Sequence, residues 1–194
     1  MSFISDLAAQ HDIQVVFQSF EGSEAFVVER TIYLDPDLYP PRMNWKFCHE
    51  LAHVLLCHTG ESLHTPEQER EADELAGELM LPEAGFRAPA RREGLDALKG
   101  MFPHASWEVL ARRRIRFRPA VLTIFDAEKL TTRQAPEGFA FPPRLTEPER
   151  EIVRRCYAGK DHLHSEAGGM MLEAYFVDEG LGVERVILLS EVEE

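Results

Sequence analysis

Apolar residues recur at helical spacing in some segments of this chain and cluster in short β-branched and aromatic runs in others. The helical spacing predicts helices over Phe3–Gln10, Asn44–His58 and the stretch from Thr65 to Pro82. The short runs, rich in Val, Ile, Phe and Tyr, predict strands over Ile13–Phe20, Glu24–Val28 and Thr31–Leu34. The first half of the chain therefore predicts an α+β fold with a small three-stranded sheet.

The second half of the chain has shorter and more polar segments. A short helix is expected around Leu95–Met101, and Ser106–Arg114 predicts another. Arg118–Phe125 fits either a second helix or a strand after a tight turn, and Thr131–Pro143 has the composition of a linker. The last segments predict an amphipathic helix and a β-hairpin, over Glu147–Ala158, Met170–Val177 and Val183–Leu189.

Charge and composition narrow the classes of function. The 194 residues carry a net charge of −13, which disfavours general affinity for nucleic acid or anionic membrane. No apolar run is long enough to span a bilayer and no secretory signal is visible, so we expect a cytoplasmic protein without a membrane partner. Three cysteines without a C-x-x-C pair make a disulfide framework improbable.

The motif with the clearest chemistry is His49-Glu50-Leu51-Ala52-His53, an H-E-x-x-H sequence within a predicted buried helix. Histidines four residues apart project from one helix face, about 5–6 Å apart at Cβ, so His49 and His53 can converge on one metal ion. Glu50 lies beside the first histidine, where its expected role is the general base for the attacking water.

A catalytic zinc site needs a third protein ligand. His58, five residues after His53, would point about 140° away on a continuing helix, so we interpret it as a helix-end residue. Glu69 and Asp73 share one face of the next predicted helix, which allows Glu69 to bind the metal and Asp73 to accept a hydrogen bond from a ligand histidine. Glu71 is the alternative ligand, although its position favours a solvated face.

Two segments together resemble the ImmA/IrrE family of gluzincin-type metallopeptidases. The first is FCHELAHVLLCH (47–58) and the second is EREADELAGELMLP (69–82). The resemblance implies a zincin-like core over residues 1–86 with His49, His53 and Glu69 as ligands, Glu50 as base and Asp73 behind a ligand. It implies Zn²⁺ as the ion, although Mn²⁺ or another divalent ion also suits two imidazoles and a carboxylate.

Beyond the core, the resemblance implies a basic, helix-turn-helix-like segment over residues 87–130. Residues 131–194, the linker, helix and hairpin, match no family that we can name. Members of the ImmA/IrrE family typically cleave an XRE-type transcriptional repressor, so the implied function is a zinc endopeptidase that derepresses stress-response or mobile-element genes. The alternative is a catalytically silent metal-containing binding module, such as an antitoxin-like or repressor-sequestering partner.

The basic segment offers a hypothesis for how a partner is held. Residues 87–118 carry nine basic and three acidic side chains in an otherwise acidic chain. Five of the arginines, between Arg112 and Arg118, could dock an acidic partner or the phosphates around a DNA-bound repressor, or else form a solvated helix face. Direct DNA binding is disfavoured, because the charge elsewhere is negative.

The group that would stabilise the oxyanion is not identified by the sequence. The candidates are His104, Tyr157, His162 and His164.

Overall fold

Two units with separate cores make up the chain in the computed structural model, which describes residues 2–58, 64–179 and 182–192. The first unit comprises Met1–Phe86 with Lys99–Ser106, and the second comprises Arg87–Leu98 with Trp107–Glu194. The mixed α+β class predicted from the sequence is confirmed. Within the described residues, none of the helices has the length and apolar composition that a membrane span requires.

The first unit is a small sheet covered by helices. Its elements are α1 (Phe3–Gln10), β1 (Gln14–Phe17), β2 (Ala25–Val28), β3 (Thr31–Leu34), α2 (Pro40–Leu55) and α3 (Pro66–Met80). The strand order is β1-β3-β2, with β1 parallel and β2 antiparallel to β3. Helix α2 packs against β2, β3 and α3. The three strands and the first three helices were predicted, with shifts of a few residues at their ends.

Helix α2 begins four residues earlier than the apolar spacing indicates. Pro40 and Pro41 occupy its first two positions, where a missing N–H costs no helical hydrogen bond. Its inner face is fully buried at Phe47, Cys48 and Leu51. Burial of this apolar face fixes the rotation of α2 and therefore the direction in which its polar residues point.

The second unit is built on a five-stranded antiparallel sheet. Its strands are β4 (Val121–Asp126), β5 (Lys129–Gln134), β6 (Leu163–Ala167), β7 (Met170–Asp178) and β8 (Glu184–Val192), in the order β5-β4-β8-β7-β6. Helix α7 (Glu147–Gly159) packs on one face of β6, β7 and β8 through Ile152, Val153 and Cys156. Helix α6 (Trp107–Arg114) contacts β8. The predicted C-terminal helix and β-hairpin are confirmed, the hairpin strands as part of a larger sheet and the helix packed on one face of it.

Two further helices are α4 (Glu83–Arg92) and α5 (Leu95–Met101). Each contains a point at which the sequence passes from one unit to the other. Helix α5 was predicted with these bounds, whereas α4 was missed because Gly85 and Pro89 lie inside it. Of the two alternatives for Arg118–Phe125, the structure has the strand, so the segment expected to resemble a helix-turn-helix is a helix followed by β4. The linker prediction for Thr131–Pro143 is wrong at its start, because β5 pairs with β4 there.

Candidate metal centre

The rings of His49 and His53, two histidines of α2, lie next to one another. His53 has 2% of its side chain exposed and His49 has 15%, so both rings are held by surrounding protein. Their Nε2 atoms lie 3.1 Å apart, and the ring centroids are 4.7 Å apart in an edge-on arrangement. The spacing of four residues therefore brings both nitrogens to one point, as the H-E-x-x-H motif indicates.

Helix α3 brings a carboxylate to the same point. Thr65 and Gln68 form a capping box at the first turn of α3, and Glu69 follows in that turn. One oxygen of Glu69 lies 3.2 Å from Nε2 of His49, and the other lies 3.7 Å from Nε2 of His53. His49, His53 and Glu69 form the group, among the residues that the structure describes, whose ligand atoms lie close enough to hold a metal ion.

The donor set fits a divalent ion such as zinc. In a tetrahedral site with bonds of about 2.0–2.1 Å, neighbouring ligand atoms lie about 3.3 Å apart, close to the distances between these three side chains. Burial lowers the pKa of His53 to about 4, with further lowering by the nearby His64 and His49. The ring is therefore neutral near pH 7 and has a lone pair to give to a metal. Three protein ligands would leave one position open, as a hydrolytic site requires.

The second ring nitrogen of each of these two histidines also has a partner. Nδ1 of His49 lies 3.0 Å from Oδ1 of Asp73, one turn beyond Glu69 on α3. Nδ1 of His53 lies 3.2 Å from Nδ1 of His58, and Nε2 of His58 lies 3.3 Å from Oε2 of Glu71. His58 lies just past the end of α2, as expected, but its ring turns back toward His53 because the chain leaves the helix after Leu55. Glu71 is exposed, as its position predicts, and it also contacts His58.

The chain matches a known protein family in sequence and a solved structure in fold. The family model described as the IrrE N-terminal-like domain of M78 peptidases matches residues 8–113, more than half of the chain. The chain belongs to this family. Membership in a metallopeptidase family implies a divalent ion, and His49, His53 and Glu69 are the described group that could hold it. No curated protein matches the chain.

Two solved structures resemble this IrrE-like chain. A Mycobacterium tuberculosis transcriptional regulator has a TM-score of 0.72 and 20% identity, over 97% of this chain and 70% of that one. The metallopeptidase zymogen of Pyrococcus abyssi abylysin has a TM-score of 0.29 and 22% identity, over 53% of this chain and 97% of that one. The first likeness shows that the fold of this IrrE-like chain is shared with a known structure.

Glu50 stands beside the metal-ligand group of this IrrE-like domain. It is partly buried on α2, and burial raises its pKa, an effect that the charges of His49 and Lys46 oppose. A carboxylate with a raised pKa is a stronger proton acceptor than an exposed one. The base role of Glu50 stays a prediction from its position next to His49.

The other residues singled out in the sequence are engaged elsewhere. The Nε2 atom of His104 lies 2.9 Å from the carbonyl oxygen of Met80, and its ring stacks on Phe3. The hydroxyl of Tyr157 donates to the carbonyl oxygen of Phe125, the ring of His162 stacks on Trp107, and the ring of His164 contacts Tyr175.

Part of the basic segment is used inside the second unit, where Arg112, Arg114 and Arg118 pair with carboxylates. Arg114 is fully buried and pairs with Glu173 and Glu191, at 3.0 and 3.4 Å. Arg118 pairs with the same two carboxylates. Of the five arginines between Arg112 and Arg118, Arg116 is the exposed one. Most of these five arginines are therefore paired or buried within the protein, which leaves less positive charge for a docking face than the sequence indicates.

Proposed function

We propose that this IrrE-like chain is a zinc-dependent endopeptidase that cleaves a transcriptional repressor of XRE type. The observation that carries the proposal is the convergence of His49, His53 and Glu69 with Glu50 adjacent to them. A site that only stabilises a fold has no need for a partly buried glutamate beside three ligands, because structural zinc sites usually have four ligands, often cysteines.

The chain's own residues would divide the work of peptide hydrolysis. His49, His53 and Glu69 would hold the zinc ion, which when bound polarises the scissile carbonyl and lowers the pKa of water. Glu50 would accept a proton as the water oxygen attacks the carbonyl carbon. As the C–N bond breaks, Glu50 would return that proton to the leaving amine. Asp73 would hold His49 in the tautomer that keeps Nε2 free for the metal.

The surface charge next to the ligands favours a basic substrate segment. Helix α3 exposes Glu67, Glu71, Asp73 and Glu74, whereas Arg70 is its one cation and already lies near Glu67 and Glu74. Proteins that bind DNA carry basic surfaces, and exposed acidic side chains attract such surfaces through charge complementarity. Together with the family membership and the resemblance to ImmA/IrrE peptidases, this supports a DNA-binding repressor as substrate.

The test is cleavage of a defined repressor by the zinc-loaded protein. Purified wild type is incubated with the XRE-type repressor encoded nearest to its gene, and with overlapping peptides of that repressor, and the products are read by intact mass spectrometry. We expect hydrolysis of one or a few peptide bonds by the wild type. Glu50→Gln should keep its zinc and lose about 10²–10⁴-fold in rate, which is the usual contribution of a general base.

The opposite results identify the alternative function. If wild type and Glu50→Gln both hold zinc and both leave the repressor and its peptides intact, the endopeptidase proposal is rejected. Retention of an intact complex with the repressor would then support a metal-containing binding module. Equal turnover by the two proteins would remove Glu50 from the role of base.

A further inference from the structure

The end of α2 places a third histidine against the back of a ligand histidine. The last helical residue is Leu55, and Cys57 adopts a left-handed conformation with φ of 56°. The N–H of His58 donates to the carbonyl of His53 at 3.0 Å, and the N–H of Cys57 donates to the carbonyl of Val54 at 3.2 Å. These two bonds are the pair that defines a Schellman motif, here with cysteine where glycine is usual.

This chain reversal explains why His58 lies near His53 although a continuing helix would separate them. His58 is largely buried, with 8% of its side chain exposed, and its Nδ1 lies 3.2 Å from Nδ1 of His53. The ring of His64 stacks on the ring of His53, with the centroids 4.0 Å apart. The stacked ring of His64 therefore holds the face of the His53 ring, and His58 holds its Nδ1 edge.

The proton positions of this group follow from the role of His53. If Nε2 of His53 gives its lone pair to a metal, the neutral ring must carry its proton on Nδ1. That N–H can donate only if Nδ1 of His58 is unprotonated, and a neutral His58 then carries its proton on Nε2. Nε2 of His58 lies 3.3 Å from Oε2 of Glu71, a carboxylate that can accept this proton in a hydrogen bond. Each hydrogen bond in the series from His53 through His58 to Glu71 thus has one donor and one acceptor.

We propose that His58 and Glu71 are positioning residues that orient His53 as a metal ligand. This inference rests on the proposed metal centre and adds two residues to it. The two ligand histidines are then supported in different ways by the same helix. His49 is held directly by Asp73 of α3, whereas His53 is held by Glu71 of α3 through the ring of His58.

Metal affinity is the first readout, because supporting residues of ligand histidines typically contribute 10- to 100-fold. His58→Phe keeps a ring of similar shape and removes both nitrogens, and Glu71→Gln keeps the length of the side chain and weakens the acceptor. We expect the zinc Kd, measured by competition with a chromophoric chelator, to rise about 10- to 100-fold in His58→Phe and by less in Glu71→Gln. Glu67→Gln, on an exposed part of the same helix, is the matched control and should bind zinc as the wild type does.

The tautomers of the rings are the second readout, and they need no metal or activity. Nitrogen-15 NMR of the metal-free protein should show His53 protonated on Nδ1 and His58 protonated on Nε2. In His58→Phe the Nδ1 proton of His53 loses its acceptor, so its signal should move or exchange rapidly with water. A general loss of structure would not change the Nδ1 proton of His53 alone, and urea unfolding of each variant shows whether the fold is retained.

The outcomes separate this inference from the proposed function. If the wild type binds zinc tightly and His58→Phe binds it equally well, the positioning role is rejected while the metal centre stands. If the wild type binds no zinc, the proposed function fails, and the NMR pattern still decides whether the hydrogen-bonded chain exists. The opposite tautomer of His53 or of His58 rejects the proposed series of hydrogen bonds, whether or not the wild type binds zinc.

Discussion

Arg114 and Glu173 form an ion pair in the interior of the second unit, with Nη2 of the arginine 3.0 Å from Oε1 of the glutamate. Both side chains are almost fully buried, and 59 positions separate them in the sequence. Tyr175 donates a hydrogen bond of 2.7 Å to the second oxygen of Glu173. The pair therefore ties α6 to β7 and neutralises one of the five arginines between Arg112 and Arg118.

Substitution of Arg114 should affect stability. Arg114→Met leaves Glu173 buried with Arg118 as its remaining cation, and we expect a loss of about 3 kcal/mol in the free energy of unfolding. The exposed Arg116 provides the matched control, since Arg116→Met should change stability by less than about 0.5 kcal/mol. Urea unfolding monitored by circular dichroism measures both. Equal stability of the two variants would show that the buried pair contributes nothing.

A second buried acid joins α7 to the sheet. Glu149 accepts hydrogen bonds from the N–H of Thr146 and the hydroxyl of Ser190, each 2.7 Å long, and lies 3.2 Å from Arg133. Glu149→Ala would leave the buried Arg133 without this carboxylate, so we expect a loss of about 3–5 kcal/mol. Glu151→Ala, exposed on the same helix, should unfold at the wild-type urea concentration. Matching midpoints for the two variants would contradict the prediction.

The same carboxyl gives a pH dependence of stability. Burial alone would raise the pKa of Glu149, but the hydrogen bonds from Thr146 and Ser190 and the charge of Arg133 lower it below its ordinary value of 4.5. The group therefore stabilises the fold above that pH and loses its contribution as the pH falls through the lower folded-state pKa. Glu149→Gln should flatten this acid limb when the free energy of unfolding is measured between pH 6 and pH 3. An unchanged limb would assign the acid sensitivity to other groups.

Asp73 should control the affinity for metal without being a ligand. Its carboxylate lies 3.0 Å from Nδ1 of His49, so Asp73→Asn replaces a charged acceptor with a neutral one at that nitrogen. We expect the zinc Kd to rise about 10- to 100-fold while the stoichiometry of binding stays the same. Competition with a chelator measures the affinity, and Glu78→Gln on the same helix is the control. A wild-type Kd in Asp73→Asn would remove Asp73 from this role.

The parts of the candidate site that depend on local spacing could be predicted from the sequence. The i and i+4 positions of His49 and His53, and of Glu69 and Asp73, follow from helix geometry once two helices are predicted. The capping box at Thr65 and Gln68 also indicates where α3 begins. These features need no knowledge of distant contacts, which explains why the group brought together by the structure was the expected one.

The parts that the sequence did not predict depend on chain reversals and on long-range pairing. His58 reaches His53 only because Cys57 adopts a left-handed conformation, and nothing in the residue type of a cysteine indicates this. Strand β5 is mostly polar and its first three residues are exposed, so its pairing with β4 has no alternating apolar signal. Arg114 resembles a surface residue until its partner on β7 is known.

The most direct test of the proposed metal centre is the metal content of the purified protein. Wild type, Glu69→Ala and the matched control Glu74→Ala are purified without chelator, supplied with zinc, desalted and analysed by plasma mass spectrometry. The proposed site predicts about one zinc per chain in the wild type and in Glu74→Ala, and little in Glu69→Ala, because Glu69 supplies the third ligand. A wild type that holds no divalent ion, or a Glu69→Ala variant that holds as much as the wild type, would contradict it.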